Sequence, residues 1–161
     1  MNQTAESAAE RPWKPNVTVA AIIERDGHFL LVEEEADGGI FINQPAGHLE
    51  PGETLLEAAR REVREETGYE FKPQTLIGVY LYPNPRVGVT YLRFCFAGNA
   101  RAPAGDVRLD DGILRTLWLN RAEIAELGTR LRSELVPRCV DDYLSGRRYS
   151  LEMLMHLSAT E

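Results

Sequence analysis

The chain has 161 residues, enough for one domain with its own hydrophobic core and too few for a second. Hydrophobic residues make up 43% and charged residues 27%, a balance that excludes a disordered polar chain. The net charge of −7 argues against partnership with a nucleic acid polymer or an anionic membrane, because Lys and Arg drive such contacts; a small anionic substrate stays open, since a divalent cation reverses the field locally.

Residues 1–12, MNQTAESAAERP, carry no periodicity and read as a flexible tail, which leaves 13–161 as a single domain. They also lack the apolar run of a secretory signal, and no later stretch approaches the ~20 apolar residues of a membrane span. The alternation Val17, Val19, Ala21, Ile23 predicts a strand that turns at Asp26-Gly27 and returns through Phe29 to Val32 as a hairpin. A loop at Ala36 to Gly39 follows, and Ile40 to Gln44 leads into a sharp bend at Pro45-Ala46-Gly47. Thr54 to Thr67 predicts a helix, with Leu55, Leu56, Ala59 and Val63 on one side and Gly68 just past its end.

Strands are predicted at Leu76 to Tyr82, Thr90 to Phe96 and Leu114 to Leu119. Asn120 with Glu123 is a capping box for a short helix through Ile124 to Leu127. Ser133 opens a last helix whose buried stripe is Leu135, Val136, Cys139, Val140, Tyr143 and Leu144, ended by Gly146. The order implies an α+β fold with a mixed β-sheet covered by helices. Cys95 and Cys139 are too few for a disulfide framework or zinc site, so reduced thiols and a cytoplasmic setting are expected.

Chemistry concentrates on the first helix. Glu62, Glu65 and Glu66 stand at i, i+3 and i+4, which places three carboxylates in one stripe beside the apolar face. As plain surface charge this is unfavourable: like charges at that spacing cost roughly 0.2–0.5 kcal/mol each, and acids in the last turn oppose the helix dipole by roughly 0.3–1 kcal/mol. Arg60, Arg61 and Arg64 relieve part of this, yet three hard oxygen donors in a row are what Mg²⁺ or Mn²⁺ takes.

The surrounding run, GHLEPGETLLEAARREVREETGY, has Gly47, Glu53, Arg61, Glu62, Val63, Glu65, Glu66, Gly68 and Tyr69 at set spacings. It resembles the signature of the Nudix hydrolases at every position. That resemblance implies an α/β/α sandwich and a Mg²⁺-dependent enzyme, Mn²⁺ also being suitable, that hydrolyses a phosphoanhydride bond in a small phosphorylated molecule. Glu62, Glu65 and Glu66 match the metal ligands, with the Ala46 carbonyl as a backbone donor. Glu62 or Glu66 is the matching candidate for catalytic base. Gly47, Glu53 and Arg61 match supporting positions that orient the glutamates. Asp110 and Asp111 are loop candidates for a base placed outside the signature, or else an ordinary Asp-Asp-Gly turn.

WKPNVTVAAII, FLLVEEE, INQPAGHLE, YLRFCF and the C-terminal RSELVPRCVDDYLSGRRYSLEML resemble one branch of the family, the NudJ-type phosphatases. These act on nucleoside di- and triphosphates and thiamine-type pyrophosphates. Among flanking residues, Arg93 alternates with Leu92 and Phe94, so it either grips a phosphate or pairs with an acid. Gln44 reads a substrate edge or is a satisfied loop amide, Lys14 reaches a phosphate or is an exposed lysine, and His48 reads as structural. Tyr82, Pro83 and Pro85 lie near positions that mark other branches, but off by a residue or more, and a turn explains the prolines. ADP-ribose or 8-oxo-purine nucleotide hydrolysis stands as an alternative. A non-catalytic nucleotide sensor is the alternative from another class, and the complete set of glutamates disfavours it. A monomer and a homodimer are equally compatible with the sequence.

Overall fold

Residues 12–157 are described by the structure, a computed structural model. The expected tail lies outside them except for Pro12. In chain order the elements begin β1 (Asn16–Ile22), β2 (Glu24–Arg25), β3 (His28–Ala36), β4 (Gly39–Asn43), β5 (Ala46–His48) and α1 (Leu55–Thr67). They continue β6 (Glu70–Asn84), β7 (Val89–Arg101), β8 (Ile113–Asn120), α2 (Arg121–Glu126) and α3 (Leu135–Leu144).

β1 forms where alternation predicts, but its partners differ from the expected hairpin. It runs parallel to β7 and antiparallel to β5, in a mixed sheet of order β5-β1-β7-β6. Only the two residues of β2 pair with β3 across the Asp26-Gly27 turn, where positive φ at both residues suits a tight hairpin. β3 then carries β4 on one side and β8 on the other, in a second, antiparallel sheet. The reason is burial: Thr18 to Ile22 are covered on both faces, and a strand sealed on both faces belongs at a sheet centre rather than in a two-stranded ribbon.

Strand alternation then builds two apolar layers. Val19, Ala21 and Ile23 of the first strand segment pack with Leu30 and Phe96 against Ala58, Ala59 and Val63 of α1. Ala20 and Ile22 pack with Phe29, Leu31 and Cys95 against Ile124 of α2 and Val136, Cys139 and Val140 of α3. Helices therefore cover both sides, the α/β/α arrangement expected. α3 departs in detail: Leu144 is 55% exposed, so the buried stripe ends before it. The helix starts at Leu135, with Ser133 Oγ accepting a 3.3 Å bond from the Leu135 N–H. The Cys95 and Cys139 thiols are free.

α1 is fixed at both ends. Thr54 Oγ1 accepts from the Glu57 N–H at 3.2 Å while the Glu57 carboxylate accepts from the Thr54 N–H at 2.8 Å, a complete capping box. Gly68 ends the helix in the left-handed region at φ 74°. Thr54→Ala is expected to lower unfolding stability by about 1 kcal/mol, a Tm drop of ~2–4 °C, measurable by thermal denaturation.

Candidate active site

The glutamate row depends on one arginine. Arg61 reaches Glu53 through two parallel bonds, Nε to Oε2 at 3.0 Å and Nη2 to Oε1 at 2.7 Å. Its Nη1 donates to Glu62 at 2.7 Å and Glu65 at 3.2 Å, and its Nη2 also donates to the His48 carbonyl at 2.9 Å. Glu53 in turn accepts from the Glu50 N–H at 2.8 Å. One guanidinium thus ties helix, preceding loop and β5 together. Arg61 holds its proton more firmly than a free arginine, chiefly through the Glu53 bonds, and the Glu53 carboxyl sits below its usual range for the same reason.

Glu62 and Glu66 are buried beside Ala58, Ala59 and Val63, at the edge of the apolar face as the spacing predicts, while Glu65 is more open. Glu66 accepts a 2.9 Å bond from the Ala46 N–H. Burial pushes the Glu66 carboxyl up to about 9, against that bond and reinforced by the negative charges of Glu62, Glu34 and Asp110. Burial also raises Glu62, with Arg61 opposing. Gly47 lies directly over this pair: a Cβ there would overlap the Glu62 carboxylate. The donors gathered here are hard oxygens of the kind a small divalent cation takes. Among the described residues, no three acidic side chains converge tightly enough to hold an ion as they stand.

Two further carboxylates join the row. The Asp110 N–H donates to the Glu65 carbonyl at 2.9 Å, which brings the loop before β8 to the end of α1. Asp110 also begins the expected turn, its carbonyl accepting from the Ile113 N–H at 3.1 Å with Gly112 at φ 91°. Asp111 faces solvent instead, at 3.7 Å from Arg108. Glu34, unanticipated from sequence, lies on β3 near both Glu66 and Arg93 and accepts from Asn43 Nδ2 at 3.2 Å. The available signal is the run Glu33-Glu34-Glu35 directly after the apolar stretch Phe29 to Val32 of the same strand.

Ala46 and Gly47 also border a cavity of ≈ 200 Å³, lined further by Thr18, Glu34, Asn43, Tyr82, Tyr91 and Arg93. Arg93 faces this cavity and not α1, because Phe94 and Phe96 take the α1 side of β7. Gln44 is fully buried: it donates to the Ala21 carbonyl at 3.4 Å and accepts from Arg93 Nη1 at 3.4 Å, so it braces Arg93 and does not line the cavity. Lys14 is exposed ahead of β1 and is not among the lining residues. His48 stands at the rim, its ring 6.2 Å from that of Tyr91. Arg132, also unanticipated, lines the wall and pairs with Asp37 at 2.6 Å and Glu34 at 3.5 Å.

Buried carboxylates under a glycine loop, with a polar cavity on the other face of that loop, are an arrangement of hard oxygen donors suited to a hydrolase. The NUDIX domain matches residues 12–139, and the chain belongs to the Nudix hydrolases, enzymes that act on pyrophosphate bonds. It is 42% identical over 142 residues to Phosphatase NudJ of Escherichia coli K12, covering 88% of this chain and 92% of that one. A NUDIX hydrolase from Nitrosomonas europaea superposes with a TM-score of 0.88 at 47% identity, over 91% of this chain and 100% of the other. A bifunctional NMN adenylyltransferase/ADP ribose pyrophosphatase from Francisella tularensis, solved with AMP and a Mn ion, shares the fold at 22% identity and a TM-score of 0.66, over 85% of this chain and 43% of that one. Among the described residues no helix is long and apolar enough to cross a membrane.

Gly47→Ala is expected to displace the Glu62 carboxylate and lower turnover by about tenfold or more, with a circular dichroism spectrum like that of the parent protein. The raised Glu66 carboxyl also sets a pH dependence. A group with its folded pKa raised from 4.5 to about 9 contributes stability that is full below 4.5 and is lost as pH rises towards 9. The metal-free Tm is therefore expected to fall between pH 5 and 9, and Glu66→Gln should flatten that slope. An unchanged slope in the variant would show that Glu66 is not the titrating group.

Proposed function

We propose that this protein is a Mg²⁺-dependent hydrolase of a phosphoanhydride bond in a small nucleoside di- or triphosphate or thiamine-type pyrophosphate, with Mn²⁺ able to replace Mg²⁺. The observation that carries the reading is the buried Glu62 and Glu66 pair, Glu62 held by Arg61 beneath Gly47 and Glu66 by the Ala46 N–H, under a loop that also lines a polar cavity. The resemblance to Phosphatase NudJ supports the substrate class, and the Mn ion named with the Francisella enzyme supports the choice of metal.

Glu62, Glu65 and Glu66 would hold the cation, with the Ala46 carbonyl as a backbone donor. Bound there, it would neutralise phosphate oxygens and acidify water. Coordination would require the three side chains to converge further than they do here. Glu53 and Arg61 keep the row oriented throughout. One carboxylate must accept a proton from the attacking water: Glu62 or Glu66 from the row, or Asp110, whose loop is hydrogen-bonded to the last turn of α1. Arg93, braced by Gln44, would meet substrate oxygens in the cavity; Lys14 could join only by a movement of the segment ahead of β1. Buried thiols suit a cytoplasmic enzyme.

The test is a phosphate-release screen with Mg²⁺ across nucleoside di- and triphosphates, thiamine-type pyrophosphates, ADP-ribose and 8-oxo-purine nucleotides, run in ¹⁸O-water so that the labelled phosphorus identifies the bond cleaved. Glu62→Gln and Glu66→Gln are each expected to lower Mg²⁺-dependent release by about 10²-fold or more while folding. Release that persists in both variants, or in excess EDTA, would overturn the assignment. Mg²⁺ should raise the parent Tm more at pH 8.5 than at pH 6, because binding must displace the proton that burial keeps on Glu66.

A further inference from the structure

Among the described residues, two buried side-chain polar atoms have no hydrogen-bond partner, Thr18 Oγ1 and Arg93 Nε. They are not scattered. Thr18 and Arg93 are direct partners across the β1–β7 ladder, and both line the ≈ 200 Å³ cavity. Buried polar groups are nearly always satisfied, and an orphan forfeits more than an ordinary hydrogen bond returns, so two side by side mark a place where a partner from outside is missing.

The chemistry of that partner follows from what surrounds it. Arg93 is 8% exposed, and its hydrogen bond is a long one, 3.4 Å, to the neutral amide of Gln44. The nearby acid Glu34 is taken up by Asn43 at 3.2 Å and Arg132 at 3.5 Å. Among the described residues this buried guanidinium has no salt bridge, and Glu34 acts on it only from a greater distance. The Nε–H and the hydroxyl come from adjacent strands ~4.8 Å apart, a spacing that lets both donate to one tetrahedral oxyanion.

Position separates this seat from the glutamate row. The missing side chain of Gly47 points at Glu62, so by strand alternation Ala46 and His48 point to the opposite face of β5. His48 is the cross-strand partner of Thr18, which places Thr18 and Arg93 on that opposite face too. We infer that Thr18 and Arg93 form an oxyanion seat for the phosphoryl group of the substrate that is not attacked, across β5 from the glutamates that serve the attacked one. The inference rests on the proposed phosphoanhydride chemistry and assigns the recognition of its second phosphoryl group.

Calorimetric titration in EDTA tests the seat apart from catalysis. Inorganic phosphate and a nucleoside 5′-monophosphate should bind without metal, and the uncharged nucleoside far more weakly. Thr18→Val and Arg93→Met should each weaken that binding by about tenfold, raise KM with kcat nearly unchanged, and leave Tm unchanged or higher, since neither loses an important partner within the fold. Glu66→Gln should keep metal-free phosphate binding, so the titration remains readable even if no phosphoanhydride is hydrolysed. A lowered Tm with unchanged KM and phosphate affinity in both variants would make the pair structural. Nucleoside binding as tight as that of the monophosphate and indifferent to Arg93→Met would reassign the seat to a neutral ring. Either result overturns the inference.

Discussion

Two carboxylates buried side by side, only one of them paired with a guanidinium, are the constraint around which this molecule is arranged. Glu62 and Glu66 sit on the inner edge of α1, where removal from water works against their charge and neighbouring acids add to it, Glu65 and Asp110 at Glu62, and Glu62, Glu34 and Asp110 at Glu66. The fold tolerates them because neighbouring donors are aimed at them: Arg61 at Glu62 and the Ala46 N–H at Glu66. Each donor is positioned by something else, Arg61 by Glu53 and the His48 carbonyl, and Ala46 by its antiparallel pairing with β1. The helix caps, the loop and the short strand β5 thus act together to keep an electrostatically costly arrangement in place.

β5 divides the site into two faces although it has three residues. One face presents Gly47 to Glu62, and the absence of a side chain there is a steric requirement. The other face looks onto the cavity with Thr18 and Arg93. A phosphorylated substrate lying over this edge would meet acids on one side and donors on the other, and that change of sign suits a molecule with two anionic groups that must be treated differently. Asp110 extends the acidic side, and Glu34 and Arg132 line the cavity, so the polarity of the site exceeds the signature residues.

Local periodicity carried much of this. The spacing of Glu62, Glu65 and Glu66 was enough to put them on one stripe beside Ala58 and Ala59, because a helix converts sequence separation into angle wherever it packs. The capping pairs Thr54 with Glu57 and Asn120 with Glu123 are equally local, and so is the left-handed Gly68. Long-range pairing was less legible. The stretch from Val17 to Val32 contains a good hairpin turn, yet β1 leaves it for β7, some seventy residues away, because its two-sided burial demands a central place. Gln44 and Lys14 carry suitable side chains, but depth is not encoded in residue type: one lies wholly inside and the other wholly outside.

By itself, then, the sequence determined the family, the helix that bears the glutamates, and the partnership of Glu53 and Arg61, all of which depend on separations of a few residues within one continuous segment. Tertiary structure decided which of the outlying groups reach the site. Asp110 arrives through a backbone bond to Glu65, Glu34 through the second sheet, and Thr18 and Arg93 through a parallel pairing that no local pattern announces. The physical reason is the range of the forces concerned: capping and helical phase act within a turn or two, whereas burial, and with it the unmet charge of the site, exists only once distant strands have closed over one another.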